Sequence, residues 1–417
     1  MRSVFLSLPK PLKKLLLRIY EDIWTLVCLF RSGVYTTGKK STPHTKPRIL
    51  FFHPTALRFG GTEKLLQGLA RHFNPDKYDV YFMYGTETDS EQIQNAQDRK
   101  TYVSQNSSVT FIPFSYSTIE KKFPFFIKDM KPDLRGVIST YEINVLVVAC
   151  SGHSQFPHNV VRSIPIIIFN IFGSPTAQPN VIKHLCVSHE VGSKALRVTD
   201  SSSVGVFYNP SEEPDTRATE RGLELRKKLG IPDNATVFGR IGRADNAIFD
   251  PIGINAFEQL VHTYPEAHYI IMATPPILRD IVRDRNIPNV HFIEPSAKED
   301  DIWAFHKAID VLAHFRADGE SCGLNIIEAM MAGRPVISHK TNMWNAHLEY
   351  LDTTFSRIAE QHDWKTYLTH MKEFVELHRA GTLISLGNAA SSKALDMFLF
   401  KKKAQEFEKI VDTVLKK

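Results

Sequence analysis

The sequence predicts an α/β fold with two doubly wound, Rossmann-like domains. Apolar segments of strand length alternate with amphipathic segments of helix length, which is typical of a parallel sheet with helices on both faces. The alternation stops in a polar, proline-bearing stretch at residues 201–219 and then starts again. The 417 residues also exceed the usual size of one domain. Two successive domains are therefore expected.

Five segments follow from this pattern. They are a basic amphipathic N-terminal helix at 1–32, a linker at 33–47, a first Rossmann-like domain at 48–205, a second at 206–385 and a C-terminal helical segment at 386–417. The two domains are expected to face a central cleft. Ligands are expected at that cleft, since open α/β sheets bind them at the carboxyl ends of their strands.

The first domain opens with a predicted strand at 49–53 and a predicted helix at 62–73. Its further strands are predicted at 79–84, 109–113, 136–140, 165–170 and 184–188. Gly60 and Gly61 join the first strand to the helix. A glycine pair most often only turns the chain. At this edge of the sheet, however, the backbone N–H groups of both glycines are also candidates for contact with a donor or an acceptor.

The second domain repeats the alternation. Helices are predicted at 221–230, 252–263 and 277–285, and strands at 235–242, 268–273, 289–293, 309–315 and 334–338. A last amphipathic helix is predicted at 393–416, and it can pack on either domain.

The net charge of +6 is confined to the N-terminus. The first 40 residues carry eight Lys and Arg against two Asp and Glu, and the remaining 43 basic and 43 acidic residues cancel. The body of the protein therefore lacks the basic charge that nucleic-acid binding requires.

The N-terminal segment has one apolar face at helical spacing, with charged side chains on the opposite half. The apolar residues are Leu12, Leu15, Leu16, Ile19, Ile23, Leu26, Val27 and Phe30. The uninterrupted apolar run is far shorter than the roughly 20 residues of a spanning helix, and its charges do not fit a signal peptide. We expect this helix to lie on an anionic membrane surface, which the polar linker after it favours. The alternative is that its apolar face packs on the protein itself.

Several kinds of site are missing from the sequence. The four cysteines form no C-x-x-C pair, which favours a reducing, cytoplasmic compartment without disulfides or zinc. The chain has no P-loop, G-x-G-x-x-G, Asp-x-Asp or H-E-x-x-H motif. We interpret the histidine pairs His153/His158 and His184/His189 as structural or surface residues. Neither a metal nor a cofactor is therefore predicted.

Residues 318–328, DGESCGLNIIE, place two glutamates in an otherwise apolar segment. A separation of eight residues turns a helical side chain by about 80°, so one helix face does not hold both. The two glycines instead predict that Glu320 lies in a loop, that a buried helix begins at 321–323 and that Glu328 lies inside it. A buried carboxylate is costly without partners. We therefore expect Glu328 to bind either a structural arginine or the hydroxyls of a sugar or ribose.

The start of that helix is a candidate anion site. Its N–H groups and its dipole favour negative charge, and Gly323 allows a ligand to approach closely. Arg240 and Arg243 lie at the end of the predicted strand 235–242, in the same region of an open sheet. A single loop arginine is usually solvated, whereas two arginines beside a helix start and a buried acid suggest a diphosphate site.

These segments resemble the retaining glycosyltransferases of the GT-B fold, that is, the glycosyl transferases group 1 family with its paired-glutamate motif. The resemblance covers roughly residues 48–385. Its most specific part is Glu320 and Glu328 with SCGLNII between them, followed by AMMAGRPVI. The segments FGGTE, KPDLRGVIST, YNP, GRIGRAD and NAHLE support it.

The resemblance implies a nucleotide diphosphate sugar that is held mainly by the second domain. Glu328 would bind the ribose hydroxyls, Glu320 the hydroxyls of the transferred sugar, and Arg243 the leaving diphosphate. The backbone amides that would contact sugar and phosphate are those of Ser321, Cys322, Gly323 and Leu324. Because arginine and preorganised dipoles can stabilise the leaving charge, no metal is required.

Two positions depart from the family pattern. Ile248 stands where relatives commonly have a lysine, and either Arg240 compensates or the phosphate site is weaker. Asn170 stands where many relatives have a histidine at the end of the strand. Its amide can donate a hydrogen bond to the substrate, but it has no acid–base role.

We therefore expect a cytoplasmic, membrane-associated hexosyltransferase. It would use a nucleotide diphosphate sugar and a glycan or lipid-linked saccharide acceptor, as in cell-surface polysaccharide or lipopolysaccharide synthesis. One alternative is a noncatalytic GT-B protein that binds a nucleotide sugar or a glycan as a partner. Another is a GT-B epimerase, which would change the sugar without releasing it.

Overall fold

The structure is a computed structural model. The residues that it describes are 8–31, 45–87, 89–118, 128–296 and 298–416. They form two compact units: unit 1 consists of Met1–Asn209 and Phe400–Lys417, and unit 2 of Pro210–Leu399. The boundary that the sequence placed after residue 205 lies after Asn209 instead, and the C-terminal segment predicted at 386–417 is shared by the two units.

Unit 1 is a doubly wound α/β unit with an eight-stranded sheet. Its strands are β1 (Arg48–His53), β2 (Asp79–Gly85), β3 (Val109–Thr118), β4 (Lys128–Lys131), β5 (Val145–Cys150), β6 (Ile166–Asn170), β7 (Val181–Cys186) and β8 (Val204–Val206). Its helices, numbered in chain order, are α1 (Lys10–Arg31), α2 (Gly61–His72), α3 (Ser90–Val103), α4 (Leu134–Thr140), α5 (His189–Ala195) and α13 (Phe400–Leu415).

The strand order of this sheet is β4-β3-β2-β1-β5-β6-β7-β8. All neighbours are parallel except β3 and β4. Alternate residues of β1 enter different apolar clusters: Phe51 is buried in one and Leu50 in another. The direction of winding changes between β1 and β5, so the carboxyl ends of these two strands form the edge where such sheets bind ligands.

One predicted strand of unit 1 is wrong. Residues 136–140 form the end of helix α4, and the strand is β5, which is buried along its whole length. Asp133 caps α4 by accepting a hydrogen bond from the Arg135 backbone N–H. The β-branched residues of GVIST suggested a strand, but the cap and the helical spacing of the buried apolar side chains decide for a helix.

The single helix predicted at 393–416 is also wrong, because the structure has two helices there. Helix α12 (Leu383–Phe398) belongs to unit 2, and α13 belongs to unit 1. Between them Leu399 has an extended backbone and pairs with Ser211. Helix α13 completes the core of unit 1, where the Phe407 ring lies 5.1 Å from the Phe169 ring.

Unit 2 is a second doubly wound unit. Its strands are β9 (Val237–Ile241), β10 (His268–Met272), β11 (Val290–Ile293), β12 (Val311–Ala313), β13 (Gly319–Glu320), β14 (Val336–His339), β15 (Trp344–Asn345) and β16 (Ser356–Ala359). Its helices are α6 (Ala218–Lys228), α7 (Ile252–Thr263), α8 (Pro276–Asp284), α9 (Glu299–Ala308), α10 (Leu324–Met331), α11 (Trp364–Arg379) and α12.

Six of these strands form one parallel sheet in the order β11-β10-β9-β12-β14-β16. The winding changes direction between β9 and β12, so the ligand edge of this sheet lies at their carboxyl ends. The short strands β13 and β15, which follow β12 and β14 along the chain, pair with each other. The α/β fold class with two Rossmann-like units is therefore confirmed.

Helix α1 packs on unit 1 with its polar side. Glu21 and Thr25 are buried, and Glu21 Oε2 accepts a hydrogen bond of 2.8 Å from the Ala177 backbone N–H. Arg162 donates to Thr25 Oγ1 at 3.0 Å, and Lys14 forms an ion pair with Asp200. No described helix, α1 included, has the length and apolar character needed to cross a membrane.

Most residues of the predicted apolar face of α1 lie on the exposed side, and Val27 is half-buried. Leu15 is 54% exposed, and Leu26 is 65% exposed. The others that are exposed are Leu12, Leu16, Ile19 and Ile23. The alternative in which this apolar face packs on the protein is therefore wrong. The side chain of Phe30 and most of the predicted linker, residues 32–44, lie outside the described residues.

Candidate functional site

The two motif glutamates lie on either side of a helix start, as the sequence predicts. Helix α10 begins at Leu324, directly after Gly323, so Glu320 precedes the helix and Glu328 lies within it. The side chain of Asn325 in the first turn donates a hydrogen bond of 2.9 Å to the Ile241 carbonyl at the end of β9. The start of α10 is thereby fixed at the edge where the sheet is expected to bind ligands.

Gly323 is required at this helix start. Its φ of +85° is in the left-handed region, and a Cβ atom there would lie 2.7 Å from the Tyr350 hydroxyl oxygen. That hydroxyl donates to the Cys322 carbonyl at 2.5 Å, so it is itself held in place. Without a Cβ, the N–H groups of Leu324 and Asn325 stay open to a ligand, since neither has a hydrogen-bond acceptor among the described residues. The next N–H of the helix donates to Asn325 Oδ1 at 3.0 Å.

A second required glycine sets the position of Glu320. Gly319 has a φ of +68°, and a Cβ atom there would overlap the Trp344 carbonyl oxygen. This close approach allows β13 to pair with β15, where Glu320 lies opposite Asn345. The backbone of Glu320 is therefore fixed by a strand pair rather than left in a free loop.

The Glu320 carboxylate lies among basic side chains. Its Oε1 is 3.2 Å from His314 Nε2 and 3.7 Å from Arg316 Nη1. Burial by itself raises the pKa of Glu320, but the hydrogen bond from His314 and the positive charges nearby outweigh it, so the pKa lies below its usual value. Glu320 is thus an ionised acceptor at the edge of the unit.

Of the two predicted arginines, only Arg243 is exposed. It follows β9 two residues after Ile241, whose carbonyl binds the first turn of α10. Within the described parts of the chain, Arg243 makes no hydrogen bond or ion pair. A free guanidinium beside an open helix start is a suitable pair of groups for binding an anion.

Arg240 lies inside unit 2 instead. It is 2% exposed, and its guanidinium lies 5.0 Å from the centre of the Phe315 ring. Burial lowers the pKa of Arg240 to about 10. Within the described residues, its Nε and Nη1 have no hydrogen-bond partner. The structure therefore does not bring Arg240 to the surface near α10. Ile248 is buried too, and its carbonyl accepts a hydrogen bond from the Ala317 N–H.

Glu328 is 5% exposed, in the middle of α10. Its Oε2 lies 3.7 Å from Nε2 of His306, which is fully buried. Ser321 and Leu324 are half-buried at the helix start, and Cys322 is buried. The second unit therefore brings together both glutamates, Arg243 and the predicted backbone amides.

The other predicted site residues belong to unit 1. Gly60 and Gly61 begin helix α2 directly after the β1 loop. Asn170 ends β6 and is fully buried; its Nδ2 donates to the Ser174 carbonyl at 2.9 Å and its Oδ1 accepts from the Gly173 N–H at 2.7 Å. The Asn170 amide thus holds the loop that follows it.

The histidine pairs of unit 1 have structural surroundings. Burial lowers the pKa of both His158 and His184 to about 4, so both are neutral near pH 7. His153 is hydrogen-bonded to Ser151, and the His189 ring packs near Tyr208. No group of three metal-binding side chains suited to a metal ion occurs among the described residues.

Sequence reasoning missed the residues that surround Glu320. His314 was included in the predicted strand 309–315, although β12 ends at Ala313. Its Nδ1 lies 3.0 Å from Ser338 Oγ on the neighbouring strand β14. The signal that could have found it is a polar residue directly after a buried strand at the ligand edge.

Part of unit 2 matches a known protein family. Residues 223–379 match the family model described as glycosyl transferases group 1. A segment of 166 residues is 28% identical to a D-inositol 3-phosphate glycosyltransferase of Corynebacterium kroppenstedtii. That match covers 36% of this chain and 35% of the relative, so it spans about a third of either protein.

Solved structures resemble the chain over most of its length. The Anabaena protein Alr3699/HepE in complex with UDP and glucose aligns with a TM-score of 0.67 at 15% identity, over 88% of this chain and 100% of that one. WaaG, a glycosyltransferase involved in lipopolysaccharide biosynthesis, aligns with a TM-score of 0.56 at 13% identity, over 86% of this chain and 98% of that one. At these identities the likeness concerns the fold.

The fold is that of the GT-B glycosyltransferases. Its second unit carries the paired glutamates and the open helix start where the sequence places them. Unit 2 matches the glycosyl transferases group 1 family over residues 223–379, which is the part of the chain that holds both glutamates.

Proposed function

We propose that this protein is a retaining hexosyltransferase that takes its sugar from a nucleotide diphosphate sugar. The observation that carries the proposal is the start of α10, an uncapped helix end between an ionised glutamate and a free arginine. A sugar diphosphate has hydroxyls and two phosphates side by side. Its hydroxyls suit the Glu320 carboxylate, and its phosphates suit Arg243 and the helix N–H groups.

In this proposal the donor is bound without a metal ion. Arg243 and the amides of the first turn of α10 stabilise the negative charge that develops on the leaving phosphate. Glu320 accepts hydrogen bonds from the hydroxyls of the transferred sugar, and Glu328 accepts them from the ribose. Ser321 to Leu324 contribute backbone N–H groups between these two carboxylates. No other cofactor is required.

The donor is proposed to be a UDP-hexose in the first instance. The Anabaena protein is in complex with UDP and glucose, and a protein of the same fold is a reasonable guide to a first substrate panel. The acceptor is proposed to be a glycan or a lipid-linked saccharide, as in lipopolysaccharide or other cell-surface polysaccharide synthesis. The involvement of WaaG in lipopolysaccharide biosynthesis supports this choice, whereas the corynebacterial relative adds inositol 3-phosphate to the acceptors to be tested.

We further propose that the enzyme works at the cytoplasmic face of a membrane and is attached through α1. The apolar side of this helix is exposed, while its buried polar side binds unit 1. Water-exposed Leu and Ile side chains are stabilised by about 1.5–3 kcal/mol each when fully buried, and an interfacial helix buries them in lipid. The basic side chains near its start favour anionic lipid.

The membrane proposal is tested by sedimentation with phosphatidylcholine vesicles, with and without phosphatidylglycerol. Changing Leu15, Ile19 and Leu26 to Ser is expected to weaken vesicle binding on the order of 100-fold. Each side chain is about half exposed, so about 1 kcal/mol of apolar burial is lost at each position and about 3 kcal/mol in all. Ile384→Ser is the matched control, since Ile384 is 72% exposed but lies in unit 2. Equal binding of the triple variant and the control would contradict the proposal.

A noncatalytic role as a nucleotide-sugar or glycan-binding protein is the second candidate. One observation favours it: Ile248 is apolar and buried at the position where the family commonly has a phosphate-binding lysine. Such a protein would bind the donor without breaking the bond between sugar and phosphate.

Release of UDP from UDP-hexoses separates the two candidates. A transferase is expected to hydrolyse its donor slowly without an acceptor and faster with one, and Glu320→Ala is expected to lower both rates. Transfer to an acceptor with the anomeric configuration unchanged would support retention. Donor binding with neither hydrolysis nor transfer across a glycan panel would contradict the transferase proposal.

A further inference from the structure

Two buried polar side chains form a continuous hydrogen-bonded chain that ends at the half-buried Glu320. Ser338 Oγ lies 3.0 Å from His314 Nδ1, and His314 Nε2 lies 3.2 Å from Glu320 Oε1. Ser338 is fully buried, and His314 is 3% exposed. Neither residue is therefore accessible to a substrate. Both lie deeper in unit 2 than the Glu320 carboxylate does.

The direction of the hydrogen bonds in this chain follows from their chemistry. An ionised carboxylate only accepts hydrogen bonds, so the His314 Nε2 carries the hydrogen that it donates to Glu320. His314 Nδ1 faces a hydroxyl, which can donate or accept. Both ring nitrogens of this buried imidazole thus have partners, and the ring cannot rotate without losing them.

Two neighbouring histidines have other roles. His339 Nε2 accepts a hydrogen bond of 3.1 Å from the Arg316 backbone N–H. His347 Nε2 lies 3.2 Å from the His339 carbonyl oxygen, to which it donates. These two rings therefore hold the backbone around the site, whereas His314 is directed at the motif carboxylate.

Arg316 is the other group that could hold Glu320, but it is occupied. Its Nε lies 2.5 Å from Asp318 Oδ1, and its Nη2 lies 2.9 Å from Asp318 Oδ2. This two-point pair leaves Arg316 Nη1 at 3.7 Å from Glu320 Oε1, which is beyond hydrogen-bond distance. The direct hydrogen bond to Glu320 therefore comes from His314.

We infer that His314 is the positioning residue for Glu320 in sugar transfer. It binds Oε1 and fixes the carboxylate plane, so that Oε2 remains available for a hydroxyl of the transferred sugar, and Ser338 fixes the His314 ring in turn. This inference rests on the proposed function, in which Glu320 contacts the sugar. His314 would thus set how the sugar, rather than the nucleotide, is held.

The test uses two amide substitutions that differ only in reach. In His314→Gln the amide NH₂ takes nearly the position of Nε2 and can donate to Glu320. In His314→Asn the amide takes the position of Nδ1, faces Ser338 and does not reach Glu320. Both variants are full-length chains, and a thermal melt of each shows whether it is folded.

The wild type is first assayed for hydrolysis of a panel of UDP- and GDP-hexoses. His314→Asn is expected to lower hydrolysis of the preferred donor by roughly 10–100-fold, the usual cost of losing a partner that orients a site ligand. His314→Gln is expected to stay within about fivefold of the wild type. Binding of the nucleoside diphosphate alone, measured by calorimetry, is expected to be unchanged in both.

A double-substitution cycle shows whether His314 acts through Glu320. In a Glu320→Gln background, His314→Asn is expected to cause no further loss, because the carboxylate that it positions is already absent. Equal activity of the Asn and Gln variants, loss of diphosphate binding along with sugar-dependent activity, or additive losses in the cycle would each overturn the inference alone. A wild type that hydrolyses no donor would instead contradict the proposed function and the inference with it.

Discussion

Each unit starts a helix directly after a glycine near the ligand edge of its sheet. The charged side chains beside these two helix starts have opposite signs. Helix α2 in unit 1 begins after Gly60, and α10 in unit 2 begins after Gly323; neither has a side-chain cap. The first turn of α2 contains Glu63, which lies against Gly60 and accepts a hydrogen bond of 2.6 Å from Thr55. The first turn of α10 contains no acid.

This difference shows that a glycine turn alone does not make an anion site. In α2 a carboxylate of the chain itself faces the positive end of the helix. In α10 that end is open, and Arg243 lies nearby without a partner among the described residues. The contact of Gly60 and Gly61 with a donor therefore stays a prediction, and the negative charge of Glu63 favours hydroxyls over phosphate there.

The largest effect is expected from removing the arginine that distinguishes the two helix starts. Arg243→Ala should lower kcat/KM for donor hydrolysis by about 100-fold, because a preorganised positive charge beside the leaving phosphate is lost. Arg283→Ala is the control, since Arg283 is an exposed arginine of the same unit that pairs with Asp280 and Asp284. Equal activity of the two variants would contradict the role of Arg243.

The second prediction concerns the two capping glycines. Gly323→Ala is expected to lower the free energy of unfolding by about 1–3 kcal/mol, because φ is +85° and the Tyr350 hydroxyl is in the way. Gly60→Ala is expected to cost under about 1 kcal/mol. Its φ is −149°, and the three atoms nearest to a new Cβ belong to the flexible Glu63 side chain. Urea unfolding measures both, and equal costs would contradict the comparison.

The third prediction concerns buried histidines, which are expected to affect stability in the same direction in both units. Burial lowers the pKa of His158 in unit 1 and of His339 in unit 2 to about 4, and that of His347 to about 3. In the unfolded chain the pKa of these histidines is near 6.5. As the pH falls, the unfolded chain therefore binds protons before the folded chain does. The contribution of these histidines to the free energy of unfolding is therefore constant above about pH 6.5 and decreases as the pH falls from there towards 4.

This smallest effect is measured by urea unfolding at pH 7, 6 and 5. Each such histidine contributes at most about 1.4 kcal/mol per pH unit, and His158→Gln is expected to reduce the slope by part of that amount. A stability that rises on acidification would show that these histidines are not neutral in the folded chain.

Much of the fold could be predicted from the sequence because its strands are apolar and its turns are polar. The error at 136–140 arose because β-branched residues suit both a strand and a short buried helix, and the Asp133 cap and the helical spacing of the buried side chains separate the two. The break at Leu399 could not be predicted, since it depends on pairing with Ser211, far away in the sequence.

The site was predictable where it depends on local sequence. Glu320, Gly323 and Glu328 are neighbours in the chain, so their arrangement around a helix start follows from the turn glycines. Arg240 could also have been assigned to the interior, because residues two apart in a strand point to the same face of the sheet and Phe238 is buried. His314 could have been found as a polar residue directly after a buried strand, but its hydrogen bond to Glu320 could not be predicted, since it depends on the tight turn at Gly319.

The central claim is that the start of α10 holds the donor diphosphate. The most direct test is to place an acidic residue in the first turn of α10, where α2 has Glu63. Leu324→Glu places a carboxylate in the first turn of α10, Leu324→Gln is its neutral match, and Thr62→Glu adds an acid to the first turn of α2. Calorimetric titration with UDP is expected to show binding roughly 5–30-fold weaker for Leu324→Glu than for Leu324→Gln, a difference of about 1–2 kcal/mol. Thr62→Glu is expected to leave UDP binding unchanged. Equal UDP affinity for the two Leu324 variants would contradict the claim.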